Sequence, residues 1–160
     1  MPGTLIIGGG QAGLSAAAEL RKRKYDAPVA ILSAEAAIPY QRPPLSKAYL
    51  SGETPVDRLW LKPESWYESA DVAVRTGVTA AAIDRGASEV ITEDGERLGY
   101  DHLILATGGR ARRIALPGAD LPGVFVLRTL DEADALSQAL KTANRLVIIG
   151  AGYIGLEVAA

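Results

Sequence analysis

The stretch LIIGGGQAGLSAAAEL, Leu5 to Leu20, decides how the chain is read. A β-branched, apolar run from Thr4 to Ile7 flows into glycines, the pattern of a buried strand. Gly8, Gly10 and Gly13 follow at G-x-G-x-x-G spacing, and an Ala/Leu-rich, helix-prone segment runs from Gln11 to about Lys24. Arg21, Lys22, Arg23 and Lys24 stand at its C-terminal end, where cations suit the helix dipole. Val29–Leu32 reads as a second buried strand. Strand, glycine turn, helix and strand in some thirty residues predict a βαβ unit on a parallel sheet.

The three glycines have separate tasks in such a turn. The first makes the tight bend, the second lets a pyrophosphate approach the backbone, and the third lets helix and strand pack closely. The helix start beyond them offers unpaired N–H groups and a partial positive charge to a phosphate. A lone G-x-G-x-x-G also occurs as a plain strand–helix turn; the flanking elements favour the dinucleotide reading here. An acid near the end of the second strand would hold ribose hydroxyls. Ser33-Ala34-Glu35 occupies that place, so Glu35 is the candidate, and a solvated glutamate just past a strand is the alternative.

Further along, Pro39–Leu45 carries three prolines and can be neither regular helix nor central strand. It is expected to be an ordered loop leading to a short helix at Ser46–Leu50. A helical turn is expected at Glu64–Ser69, with strands at Val72–Arg75 and Val78–Ile83. Glu89–Thr92 and Arg97–Gly99 flank an Asp-Gly turn and predict a hairpin. His102–Thr107 is another buried strand ending in glycines. IALPGADLPG, Ile114 to Gly123, is the best linker candidate. Thr129 and Glu132 have capping-box spacing at the head of a helix running to about Lys141.

The opening pattern then returns. RLVIIGAGYIGLEVAA, Arg145 to Ala160, has an expected strand at Leu146–Ile149, glycines at 150, 152 and 155, and a small-residue helix. Two dinucleotide folds imply two dinucleotides, of which a hydride donor such as NAD(P)H facing a flavin is the usual pair.

Composition closes other routes. With 17 Lys plus Arg against 19 Asp plus Glu, the net charge is -2, unlike a nucleic-acid binder with its concentrated basic face. The chain has no cysteine and one histidine, too few soft ligands for a transition-metal site, so no metal is expected. His102 is read as a surface or structural residue. Trp60, Trp66 and Tyr67 are read as loop anchors before a partner surface. No apolar run is long enough to span a bilayer, and the expected location is cytoplasmic.

Four ordered motifs carry a resemblance: PYQRPPLSKAYL (Pro39–Leu50), LILATGGR (Leu103–Arg110), LRTLDEA (Leu127–Ala133) and GAGYIGLEVAA (Gly150–Ala160). Over essentially all its 160 residues the chain resembles the flavin-dependent ferredoxin reductases of cytochrome P450 and dioxygenase systems, the putidaredoxin- and palustrisredoxin-reductase-like group. Apoptosis-inducing-factor-like proteins are more distant relatives. The resemblance implies an α/β, Rossmann-type two-dinucleotide flavoprotein fold of glutathione-reductase-like architecture, here its N-terminal portion. Residues 1–109 would be the first part of an FAD-binding domain, and residues 110–160 a linker and the start of an NAD(P)H-binding domain.

By the same resemblance, Gly8, Gly10, Ala12 and Gly13 lie on the FAD pyrophosphate. Arg42 and Lys47 reach the flavin and Pro43 packs by its ring. Ala80 meets the adenine through its backbone, Thr107 and Gly108 lie at the cofactor, and Arg128 adds a polar contact. Lys47 is expected near the flavin N5 edge, paired with Glu157. Gly150, Gly152, Tyr153, Ile154 and Gly155 belong to the NAD(P)H loop, with Tyr153 on the nicotinamide side. The implied activity passes electrons from NAD(P)H through FAD to a small acidic [2Fe–2S] ferredoxin. A departure from the pattern is Ala34, where these reductases commonly carry Asp.

The missing cysteines separate this chain from two related branches. Disulfide reductases place a redox-active thiol pair soon after the first βαβ unit, and oxygen-using NADH oxidases place a redox cysteine near Pro43. Here the region reads IPYQRPPLSKAYL. A flavin without a thiol relay passes electrons directly, which suits an iron–sulfur acceptor. The rival class is a non-enzymatic flavin-binding redox sensor or an isolated FAD-binding fragment.

Overall fold

A computed structural model describes residues 3–160. By backbone contacts the chain forms two compact units, one running up to Tyr40 and resuming over Trp60–Gly108, the other made of Gln41–Leu59 and Gly109–Ala160.

The first unit is built on a parallel sheet. Its strands are β1 (Thr4–Ile7), β2 (Val29–Leu32), β3 (Val72–Arg75) and β7 (His102–Leu105), in the order β3-β2-β1-β7. Thr4 aligns with Val29 on one side and His102 on the other. The same unit also carries an antiparallel sheet of β4 (Ala80–Asp84), β5 (Glu89–Thr92) and β6 (Arg97–Gly99).

Side chains alternate across a strand, so the parallel sheet has two faces to cover. Ile6, Ile31, Val29 and Val72 point to one, where they pack with Leu14 and Ala17 of helix α1 (Gln11–Lys22) and with Tyr67 of helix α2 (Glu64–Ser69). Leu5 and Leu32 point to the other and meet Val90 of β5. Burial on both faces explains why the central strands β1 and β2 read as continuous apolar runs. Ile6 and Ile31 are fully buried, each worth about 1.5–3 kcal/mol relative to exposure.

Helix α1 stops at Lys22, short of the expected Lys24. Lys24 takes φ +60, its N–H bonds Arg21 O and the Tyr25 N–H reaches Leu20 O, which together close the helix. Arg21 has a larger job than complementing the dipole. Its guanidinium donates to the carbonyls of Tyr25, Ala27, Ala70 and Asp71, tying the helix end to the turn before β3. Trp66 and Tyr67 meet each other edge to face, and both pack on the same core.

Strand β4 begins at Ala80 rather than Val78, whose N–H instead bonds Ser33 O. Strand β7 ends at Leu105 rather than Thr107 and is not the buried strand expected: His102 and Leu105 are exposed, because as the last strand of the sheet it has a neighbour on one side only.

In the second unit the expected helix at Ser46–Leu50 is replaced by a 3₁₀ turn over Pro43–Ser46. Two prolines preset φ for a first turn that needs no N–H donors from them. Lys47 then departs from helical geometry at φ -128, ψ -124, and hydrogen-bonded turns continue to Gly52. A second 3₁₀ turn covers Val56–Leu59. Helix α3 (Leu130–Leu140) starts with the full reciprocal capping box of Thr129 and Glu132. Leu130, Ala133 and Leu136 form its buried stripe. Helix α4 spans Tyr153–Ala159. Both α3 and α4 pack on the Pro43–Ser46 turn.

Leu146–Ile149, expected as a strand, is not one among the described residues. Val147 is 80% exposed and Ile149 73%, and no ladder partner lies beside them. A strand exists through its neighbours' hydrogen bonds, whatever its own residues prefer.

Candidate functional site

The first glycine loop joins β1 to α1. Gly8 sits at φ +125, and a Cβ there would lie 2.1 Å from the Ala106 carbonyl oxygen. Only glycine fits. A Cβ on Gly13 would lie 2.0 Å from the Gly8 oxygen, so the third glycine lets the helix seat on the turn. Gly10 differs from both, because a Cβ there would meet nothing within 4 Å. It is the N-cap of α1, without a side-chain capping bond. The first N–H groups of a helix have no partner within it. Ala12 is exposed in this first turn. The loop thus presents open backbone donors over clear space, which fits a pyrophosphate.

Around it, Thr107 and Gly108 leave the end of β7 beside Gly8, with Gly108 at φ +65. Glu35 stands past the end of β2, and its carboxylate accepts a hydrogen bond from the buried Tyr40 hydroxyl. Ala80 is half-buried against the Leu5–Leu32–Val90 cluster. Sequence reasoning passed over Gly9, whose Cβ would lie 2.5 Å from Ser33 Oγ. The signal was the middle glycine of the run Gly8-Gly9-Gly10, which the fingerprint leaves unassigned.

The second unit holds the other residues. Gly150 sits at φ +107, Gly152 is the open N-cap of α4, and a Cβ on Gly155 would lie 2.7 Å from the Gly150 oxygen. Tyr153 is 88% exposed and Ile154 54%. Pro43 is exposed at the head of its turn. Arg42 Nη1 donates to the Arg128 carbonyl at 2.7 Å, and Arg128 Nε donates to the Gly109 carbonyl at 2.5 Å.

Lys47 and Glu157, which lie far apart in sequence, meet here: Nζ is 3.3 Å from Oε1. Ser46 Oγ donates to the other carboxylate oxygen at 2.5 Å. The Glu157 carboxyl is held below the usual carboxylate range, first by the Ser46 hydroxyl and then, against partial burial, by the Lys47 ammonium. A cation on a fixed counter-ion is suited to stabilising negative charge that develops beside it. Sequence reasoning missed Ser46. It lies inside the PPLSK run, but nothing in the sequence separates a buried serine from a solvated one.

Among the described residues no cluster could hold a metal ion, and no helix is long and apolar enough to cross a membrane.

Known proteins are similar to this chain in sequence and fold. The family described as pyridine nucleotide-disulphide oxidoreductase matches residues 3–160. Rhodocoxin reductase of Rhodococcus erythropolis is 46% identical over 156 residues, covering 98% of this chain and 36% of the relative. Rubredoxin-NAD(+) reductase of Pseudomonas putida is 43% identical, covering 98% of this chain and 40% of the relative. Among solved structures, the ferredoxin reductase for the CYP199A2 system from Rhodopseudomonas palustris superposes with a TM-score of 0.94 at 41% identity, over 100% of this chain and 39% of that one. The reductase in the covalent putidaredoxin reductase–putidaredoxin complex gives 0.90 at 38% identity, over 99% and 39%. The chain therefore spans well under half the length of these relatives. With its glycine loops in place and its full described length matched, the chain belongs to the pyridine nucleotide-disulphide oxidoreductase family.

Proposed function

We propose that this chain carries the FAD loop and the opening of the NAD(P)H-binding part of a reductase that passes electrons from NAD(P)H through FAD to a [2Fe–2S] ferredoxin. That ferredoxin would feed a cytochrome P450 or a dioxygenase. The observation that carries the reading is the pair of glycine loops, each with an open second glycine at the head of a helix. The names of the relatives support it, since they are reductases of ferredoxins and rubredoxins. FAD, when bound, supplies the step from a two-electron hydride donor to a one-electron acceptor.

The chain's own residues have defined tasks in this reading. Gly8, Gly10, Ala12 and Gly13 receive the pyrophosphate on backbone N–H groups. Glu35, oriented by Tyr40, takes the ribose in the place left by Ala34. Arg42, Pro43, Ala80, Thr107, Gly108 and Arg128 line the cofactor. Lys47 sets a positive charge by the flavin, and Glu157 keeps it there. The loop from Gly150 to Gly155, with Tyr153 and Ile154, faces the nicotinamide nucleotide. Residues 1–109 count as the beginning of the FAD domain and 110–160 as the linker and first part of the NAD(P)H domain. The proposed location is the cytoplasm.

The test is a visible spectrum of the purified chain with FAD, before and after anaerobic NADH. A bound-flavin spectrum that bleaches supports both nucleotide sites. Bound flavin that stays oxidised removes the second site from the reading, and no bound flavin removes the first.

A further inference from the structure

We propose that Ser46 is a positioning residue for the Lys47–Glu157 pair: its buried hydroxyl holds one carboxylate oxygen of Glu157 and turns the other toward Lys47. The role rests on the reading above, in which that pair serves the flavin.

Ser46 closes the Pro43–Ser46 turn and is 6% exposed. A hydroxyl buried to that degree needs a partner, and Glu157 Oε2 supplies it at 2.5 Å. The carboxylate is thereby divided between neighbours in sequence, Oε2 to Ser46 and Oε1 to Lys47. The two grips are unequal. Lys47 is a flexible point charge with 54% of its side chain exposed and a 3.3 Å contact, and exposed ion pairs of this kind hold geometry weakly. Ser46 has a short, buried side chain at the end of a turn that opens on two prolines, so its donor is held with less freedom than the lysine ammonium. A hydrogen bond to an ionised acceptor is also stronger than one between neutral groups. Helix α4 packs on the Pro43–Ser46 turn, and this contact joins the two elements. Lys47 is the charged neighbour of Glu157 among the described ion pairs.

Because the hydroxyl bonds the ionised carboxylate more strongly than the protonated acid, the contact ties the proton affinity of Glu157 to Ser46. The Glu157 carboxyl lies below its ordinary range, with Ser46 as the largest cause. The grip is therefore complete above the ordinary glutamate range and is lost as pH falls through the lowered value.

The experiment is a carboxyl-¹³C NMR titration of Glu157 in the full chain without FAD, with Glu157→Gln used to assign the signal. Ser46→Ala is expected to move the midpoint upward by more than Lys47→Met does, and Ser46→Thr to keep it near the starting value. Should Ser46→Ala lose its fold, Ser46→Cys fills the same space with a weak donor and is expected to raise the midpoint likewise. A midpoint unmoved by loss of the hydroxyl, or moved less than by loss of the ammonium, overturns the assignment. FAD binding is read separately on the same samples. A raised midpoint in a chain that binds no FAD keeps Ser46 as the positioning residue and removes the reading; an unmoved midpoint in a chain that binds FAD does the reverse.

Discussion

The two glycine loops have the same internal build and different surroundings. In each, the first glycine has positive φ, at +125 for Gly8 and +107 for Gly150. In each, the second is open and the third sits against the first one's carbonyl and the residue two before that first glycine, Ile6 or Ile148. Outside the loop the likeness stops. A Cβ on Gly8 would strike Ala106, and one on Gly9 would strike Ser33, while a Cβ on Gly150 would meet nothing within 4 Å. The turn is a local structure that its own glycines specify. The sheet that grips it is assembled from strands distant in sequence, and around the second loop no such strand lies among the described residues.

Breaking the comparison calls first for Gly8→Ala against Gly150→Ala. Gly8→Ala adds overlap with backbone to positive-φ strain and is expected to cost about 3–5 kcal/mol. Gly150→Ala has the strain alone and is expected to cost about 1–3 kcal/mol. Urea unfolding of both variants reads the difference; equal losses would mean that the neighbouring strand adds nothing. Gly10→Ala is a finer probe. With open space around it, the change is expected to shift stability by no more than about 0.5 kcal/mol. It should still weaken FAD binding about tenfold, or ~1.4 kcal/mol, by blocking approach to the backbone. Unchanged affinity in a fluorescence titration would place the pyrophosphate elsewhere. The smallest effect belongs to Thr129→Ala, which removes the cap of α3 at about 1 kcal/mol. Faster amide exchange confined to α3 would show that the second unit answers for its own stability, whereas equal acceleration in α1 would show shared cooperativity.

Much of this molecule was legible before any coordinates. The βαβ unit, the hairpin, the limits of α2 and the capping box all rest on short-range signals: apolar period, glycine spacing, an Asp-Gly turn, and Thr129 with Glu132. Lys47 and Glu157 were named through the resemblance, since spacing alone does not join residues so far apart. Two readings failed for one shared reason, that the deciding partner was elsewhere. Leu146–Ile149 has the residues of a strand without a ladder beside it. Ser46–Leu50 gave way to a 3₁₀ turn on which two later helices rest. The early close of α1 is local by contrast, made by Lys24 at positive φ and the backbone bonds of Lys24 and Tyr25.

By itself, then, the sequence determined the turns, the caps, the glycine geometry and the alternation of core residues, because each depends on atoms a few residues apart. Only the tertiary structure decided which apolar run became a strand, which serine was buried, and which of Glu157's oxygens met Ser46 and which met Lys47. Those outcomes depend on hydrogen bonds and burial supplied by distant segments, and a residue's own chemistry does not say who its neighbours will be.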